Sequence, residues 1–175
     1  MERFFFNTNF HYVRIVPVNN GKTVPVDVIC RHISSMYITT NMNPDITFVW
    51  IDREGRSETS DEIREKVRSS LIGAGADEAK LWVGVPDTMT ENWLLADPVA
   101  ITQEFGIESH EYLHEGKNGK HRISELYDHL GVNYKEMKHG ASLMKRLRLN
   151  RAAENSPSAA SFFQDWTADC WWTPL

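Results

Sequence analysis

Cysteine is scarce in this chain: Cys30 and Cys170 are the only two in 175 residues, and they stand far apart in no metal-ligand spacing. That excludes a disulfide scaffold and gives no sign of a zinc site. Long apolar runs are also missing. None approaches the ~18 residues that a membrane-spanning helix needs, so no membrane contact is expected and the cytoplasm is the default location. The opening Met1-Glu2-Arg3-Phe4-Phe5-Phe6 is broken at Asn7, too early for a secretory apolar core. Walker loops, G-x-G-x-x-G turns, a Ser-His-Asp order and Cys/His clusters are all absent, which disfavours nucleotide-cofactor enzymes and zinc hydrolases. There is no internal repeat and no low-complexity tract.

What is present is an ordinary globular composition, 41% apolar and 25% charged. The length fits one domain over residues 1–175, read as an α/β core over 1–115 with a helical extension over 121–175. The net charge of −5 is uneven. Lys135, Lys138, Lys145, Arg146, Arg148 and Arg151 face one acid, Glu136, so residues 135–151 carry +5 and the remainder −10. Such asymmetry can mark a polyanion contact. Of six tryptophans, three (Trp166, Trp171, Trp172) fall in the last ten residues. They are expected to pack as a tail on the domain or to form a partner surface.

Strand and helix signals alternate through the first half. Residues 10–16 alternate in the manner of a strand, and Asn19-Asn20-Gly21 follows as a turn. Val24, Val28, Ile29, Ile33 and Met36 then recur at helical spacing. Residues 46–51 form a nearly continuous β-rich run, as in a strand covered on both faces. Thr59 or Ser60 can cap a helix that buries Ile63, Val67, Leu71 and Ile72 and ends at Gly73 and Gly75. Lys80–Val85 is a third strand, and Glu91–Phe105 a helix interrupted or kinked near Pro98. Residues 116–120, rich in glycine and lysine, read as mobile. Helices are then expected over 123–130, from Tyr134 to about Leu149, and from Ser158 to about Trp166. The pattern predicts a mostly parallel sheet with helices on both faces and a C-terminal helical cover.

In such sheets ligands bind beyond the carboxyl ends of the strands, and acidic residues follow two of them. Ile51-Asp52-Arg53-Glu54 ends one strand, and Thr88-Met89-Thr90-Glu91 follows another. Carboxylates so placed can hold a divalent cation, form an acid/base pair, or cap helices. In D-x-E at a strand end, Asp52 and Glu54 are expected on the same side, where they could share Mg²⁺; the alternative is a turn of solvated charges. Thr88–Glu91 fits a capping box, and Asp97 before Pro98 reads as a structural helix start. Lys135, Lys138, Lys145 and Arg146 fall on one helix stripe beside an apolar one of Tyr134, Met137, Ala141 and Met144. The stripe is either a solvated face or a phosphate contact. His139 on that helix could titrate or donate.

Glu91-Asn92-Trp93-Leu94-Leu95-Ala96-Asp97 resembles the E-x-W-L-L-A-D stretch of a bacterial Toprim-like family (domain of unknown function 4276), which is related to phage-defence nucleases of the Toprim/OLD type. Tyr134-Lys135-x-x-x-His139-Gly140 and Ser156-Pro157-Ser158, continuing to Phe162, are similar to that family's closing motifs. The resemblance covers most of the chain and implies a Toprim-like fold, with Asp52 and Glu54 at the D-x-D metal position. Toprim domains place a glutamate after the first strand; here Asn20 and Val24 stand where carboxylates are expected. Asparagine can coordinate through its carbonyl oxygen but is a poor base.

The resemblance implies a Mg²⁺-dependent (or Mn²⁺-dependent) nuclease in prokaryotic antiviral defence. Asp52, Glu54 and Glu91 would be its metal ligands, Glu91 and Asp52 its catalytic groups, and Lys135, Lys138, Lys145 and Arg146 its nucleic-acid contacts. The competing expectation is a catalytically degenerate Toprim-like binding or regulatory subunit, with Asn20 as the degenerate position, working beside a protein partner such as a defence ATPase. A third is an inhibitory protein whose acidic surface mimics nucleic acid.

Overall fold

The computed structural model describes residues 23–40, 44–113 and 115–169. The strand expected over residues 10–16, Asn20, Trp171 and Trp172 lie outside the described residues. The first described helix, α1 (Val26–Thr40), buries Val26, Ile29, Cys30 and Ile33. Strand β1 (Thr47–Trp50) leads through a turn to α2 (Ser60–Gly73), which starts at a capping box. Thr59 Oγ1 accepts from the Glu62 N–H at 3.2 Å, and the Thr59 N–H donates to Glu62 Oε2 at 2.7 Å. Ile63, Val67 and Leu71 are buried as their spacing predicts, whereas Ile72 is exposed.

Strand β2 (Leu81–Gly84) pairs with β1 in parallel, Thr47 opposite Leu81 and Trp50 opposite Gly84. Side chains alternate across this two-stranded sheet. Val49, Leu81, Val83 and Val85 pack with α1 and α2 in one core cluster. Trp50 and Trp82 belong to the other, built from α3 (Thr90–Leu95), α4 (Pro98–Phe105), α5 (Gly119–His129) and the helices that follow. The chain is thus mixed α/β, with helices on both faces of a small parallel sheet. Trp93, fully buried, meets Trp50 edge-on at 4.9 Å and lies 5.4 Å from Phe162 of α8 (Pro157–Asp169). Among the described residues no helix is long and apolar enough to cross a membrane.

Two expectations need correction. The segment at 116–120 is tied down. The Thr88 hydroxyl donates to Gly116 O at 2.7 Å, and a Cβ at Gly116 or Gly119 would stand 2.9 Å from the Asp87 carboxyl or the Asn92 amide. Beside it, Glu115 Oε1 accepts from the Ser156 hydroxyl at 2.6 Å and from the Ser158 N–H at 3.2 Å, fastening the loop to the start of α8.

The single helix expected from Tyr134 to Leu149 is instead a π-turn (Glu136–Gly140), then α6 (Ala141–Arg146), then α7 (Leu149–Ala153). Asp97 causes the second break. Its Oδ2 takes the Arg148 N–H at 2.9 Å and Arg151 Nη2 at 2.7 Å, while Oδ1 caps α4 through the Ala100 N–H at 3.1 Å and binds Arg151 Nε at 2.8 Å.

Asp97 is fully buried, so every one of those bonds matters. Burial alone would raise its carboxyl; the Arg151 guanidinium and the Arg148 and Ala100 amides outweigh it and hold the group below the usual range. Stability from a depressed carboxyl is present above its unfolded pKa and is lost as pH falls through the folded one. Asp97→Asn strands Arg151 and is expected to lower stability by about 3 kcal/mol at neutral pH. Denaturant titrations should show that deficit shrinking below about pH 4, and a deficit constant across pH would contradict the account.

Candidate functional site beyond the sheet

The parallel ladder runs on past the two strands. The Ile51 N–H donates to Gly84 O at 3.0 Å, Arg53 N–H to Pro86 O at 3.1 Å and Glu54 N–H to Thr88 O at 2.7 Å. Its last rung joins two residues in the left-handed region, Glu54 at φ 53° and Thr88 at φ 64°. For a β-branched residue that conformation costs roughly 1–3 kcal/mol, and such strain gathers at functional sites.

Two arginines hold the turn. Arg56 Nη1 donates to Asp52 O at 2.7 Å and Arg53 O at 2.9 Å, and its Nε to Val24 O at 3.0 Å. Arg53 binds the Asp87 carboxylate and, through Nη1, Arg56 O at 2.8 Å. By sequence alone both arginines read as part of a turn of solvated charges; each is instead a backbone clamp.

These constraints deliver Asp52 to the start of α3. The Trp50 indole N–H donates to Thr90 Oγ1 at 2.8 Å, and Thr90 Oγ1 lies 2.7 Å from Asp52 Oδ1. A hydroxyl has one proton, so with its oxygen accepting from Trp50, Thr90 directs that proton to Asp52. Burial, foremost, raises the Asp52 carboxyl above its ordinary range; the Thr90 hydroxyl opposes the rise, and the charges of Glu91 and Glu54 add to it. The Thr90 bond places Asp52 against the residue that precedes Glu91 in α3, despite their separation in sequence.

Glu91 does not form the expected capping box. The N-cap of α3 is Met89, without a side-chain cap bond, so Thr90 is already helical and Thr88 is outside the helix. Glu91 Oε1 instead accepts from the Tyr134 hydroxyl at 3.2 Å. Burial, with the Glu91 charge next, pushes the Tyr134 phenol far above its usual value, so it remains a donor across physiological pH. Tyr134 stacks on Tyr127 at 5.6 Å, and Tyr127 on His139 at 4.5 Å. His139 is buried, and its Nδ1 accepts the Lys135 N–H at 3.0 Å, which anchors the chain there.

The predicted residues are thus divided. Asp52 and Glu91 come to the same end of α3, Asp52 through its bond with Thr90. Glu54 does not continue the strand: its left-handed backbone turns it toward Arg56 Nη1, 3.6 Å away, with half its side chain exposed. Lys135, just before the π-turn, and Lys138, within it, are exposed beside the Tyr134 that reaches Glu91, and Lys145 is exposed on α6. Arg146 leaves the basic set, since its Nε binds Glu104 Oε2 at 2.5 Å. Trp50 and Thr90 were missed, because a tryptophan in a strand and a threonine inside S/T-x-x-E look like core and cap.

Among the described residues no group of three or more His, Cys, Asp and Glu is arranged to hold a metal ion. The donor set is a carboxylate pair, which fits Mg²⁺ held by one or two carboxylates together with substrate phosphate and water, and does not fit an all-protein cage. Asp52 would be a ligand, with Glu91 as a second ligand or as the base, and without Glu54.

A raised carboxyl contributes stability below its unfolded pKa and loses it as pH rises through the folded one. Asp52→Asn keeps an oxygen for Thr90 and is expected to melt above the parent at about pH 8, converging with it below about pH 3.5. A variant that melts lower at high pH would contradict this placement of Asp52. Comparisons of the chain with protein-family models, with curated proteins and with solved structures find no match.

Proposed function

We propose that the protein is a Mg²⁺-dependent, Toprim-like nuclease that hydrolyses phosphodiesters in prokaryotic antiviral defence. The observation that carries the reading is the bond from Thr90 to Asp52, which sets Asp52 at the start of the helix carrying Glu91, beyond the carboxyl ends of two parallel strands, where open α/β sheets bind ligands. The defence role and the Toprim-like fold rest on the resemblance of the Glu91–Asp97 stretch to that family. When bound, Mg²⁺ supplies Lewis acidity at the phosphate and lowers the pKa of a water.

The chain's own residues divide the remaining work. Asp52 would hold the cation, and Glu91 accepts the proton of the attacking water as the new P–O bond forms; the ester P–O bond breaks and the departing oxygen takes up a proton from solvent water. Thr90 fixes the direction of the Asp52 carboxylate, and Tyr134 that of Glu91. Lys135 and Lys138 offer charge to the flanking phosphates.

A second reading is the degenerate binding subunit, working beside an ATPase partner. It is favoured by Asn20 at the position where the Toprim motif carries a carboxylate, and by Glu54 turned to Arg56. One assay separates the two: DNA and RNA incubated with the protein and Mg²⁺ or Mn²⁺. The nuclease reading expects cleavage that falls by about 10²–10⁴-fold in Asp52→Ala and Glu91→Gln. Tyr134→Phe is expected to lower kcat by about tenfold with KM little changed, since it removes one hydrogen bond to a carboxylate, worth about 1.5 kcal/mol. Cleavage that is absent, or equal in Asp52→Ala, would overturn it; nucleic-acid binding without cleavage would favour the subunit.

A further inference from the structure

The π-turn at Glu136–Gly140 departs from α geometry beside the carboxylate pair, and its base and tip are built differently. At the base, His139 is buried against Tyr127 and accepts the Lys135 N–H, while the preceding Tyr134 reaches Glu91. At the tip, Met137 is 92% exposed, where the apolar stripe Tyr134-Met137-Ala141-Met144 would have it buried. Single exposed apolar residues are commonplace; the setting of this one is not. Lys135 and Lys138 flank it, both exposed and in no ion pair among the described residues. The turn's one acid, Glu136, is paired with Lys120. The result is an apolar point between two free cations on a loop whose base is held by Tyr134 and His139.

We propose that this turn grips a nucleic-acid duplex, with Met137 entering the base stack and Lys135 and Lys138 holding the phosphates on either side. The inference rests on the reading of the neighbouring carboxylates as a phosphodiester site, and it names that site's substrate form. Aliphatic side chains inserted between base steps unstack and kink duplexes, whereas single strands are bound on aromatic platforms. Among the described residues the one aromatic in the exposed apolar set is Phe48, packed against Trp50 and Phe162 on the sheet. Methionine is unbranched and polarizable, suited to an irregular gap between bases.

The test uses the full chain in EDTA, so that the duplex is not consumed, with 2-aminopurine placed within duplex DNA and duplex RNA. The parent protein is expected to raise 2-aminopurine fluorescence severalfold on at least one duplex. Met137→Ala should abolish the rise, and Met137→Leu should restore it. Lys135→Gln and Lys138→Gln should each weaken binding and lower the slope of log K against log[salt] by about 0.9. At 92% exposure, substitution of Met137 does not disturb the core. Unchanged fluorescence with the parent, an equal rise with Met137→Ala, or tighter binding to single strands than to duplexes would overturn the proposal. So would binding to anionic phospholipid vesicles, but to no duplex, that depends on Met137. Unstacking without cleavage on adding Mg²⁺ counts against the nuclease reading alone; Asp52-dependent cleavage without unstacking counts against the wedge alone.

Discussion

Three backbone hydrogen bonds beyond the formal ends of β1 and β2 determine where everything else in the site can be. Because Ile51, Arg53 and Glu54 keep donating to Gly84, Pro86 and Thr88, the two strand ends travel together instead of splaying into separate loops. The final rung requires Glu54 and Thr88 to adopt left-handed backbone. The strain is offset locally: Arg53 and Arg56 saturate the carbonyls of the first turn, and the Thr88 hydroxyl reaches Gly116 O. Released from the ladder, Asp52 meets the hydroxyl of Thr90.

The consequence for Glu91 follows from a contrast within the chain. Thr59-x-x-Glu62 and Thr88-x-x-Glu91 have the same pattern, yet only the first closes a capping box. Thr88 cannot cap, since its hydroxyl is committed to Gly116 and its φ of 64° is not that of an N-cap. Glu91 is thereby left for Tyr134 and for whatever enters the site. Raising the proton affinity of Asp52 and leaving a helix start uncapped both work against stability, as functional sites commonly do. The compensation lies in buried polar junctions elsewhere: Asp97 with Arg151 and Arg148, and Glu115 with Ser156 and Ser158.

Much of the frame could be read from residue spacing. The helical period of Ile63, Val67 and Leu71, the apolar runs of the two strands, and the Asp97-Pro98 and Ser156-Pro157 helix starts are local signals, and the elements follow them. What could not be read depends on partners distant in sequence. Asp97 breaks the helix expected through Arg148 from 51 residues away. The stripe of Lys135, Lys138, Lys145 and Arg146 assumes one continuous α-helix, and the π-turn shifts its phase so that Met137 points to solvent. Arg146 resembled its neighbours until Glu104, on another helix, claimed it. The same holds for the site: Asp52 and Glu91 were legible as candidates, while the Trp50–Thr90 relay and the loss of Glu54 to Arg56 exist only in three dimensions.

The central claim is that Asp52, partly buried at the start of α3, lies near enough to Glu91 to feel its charge. Carboxyl-detected NMR titration of Asp52 in the parent and in Glu91→Gln reads this directly. The account predicts an Asp52 midpoint above the ordinary aspartate value of about 3.9, moving down when the Glu91 charge is removed. A midpoint at the ordinary value, indifferent to Glu91→Gln, would mean that the two groups do not converge, and the site built on them would not exist.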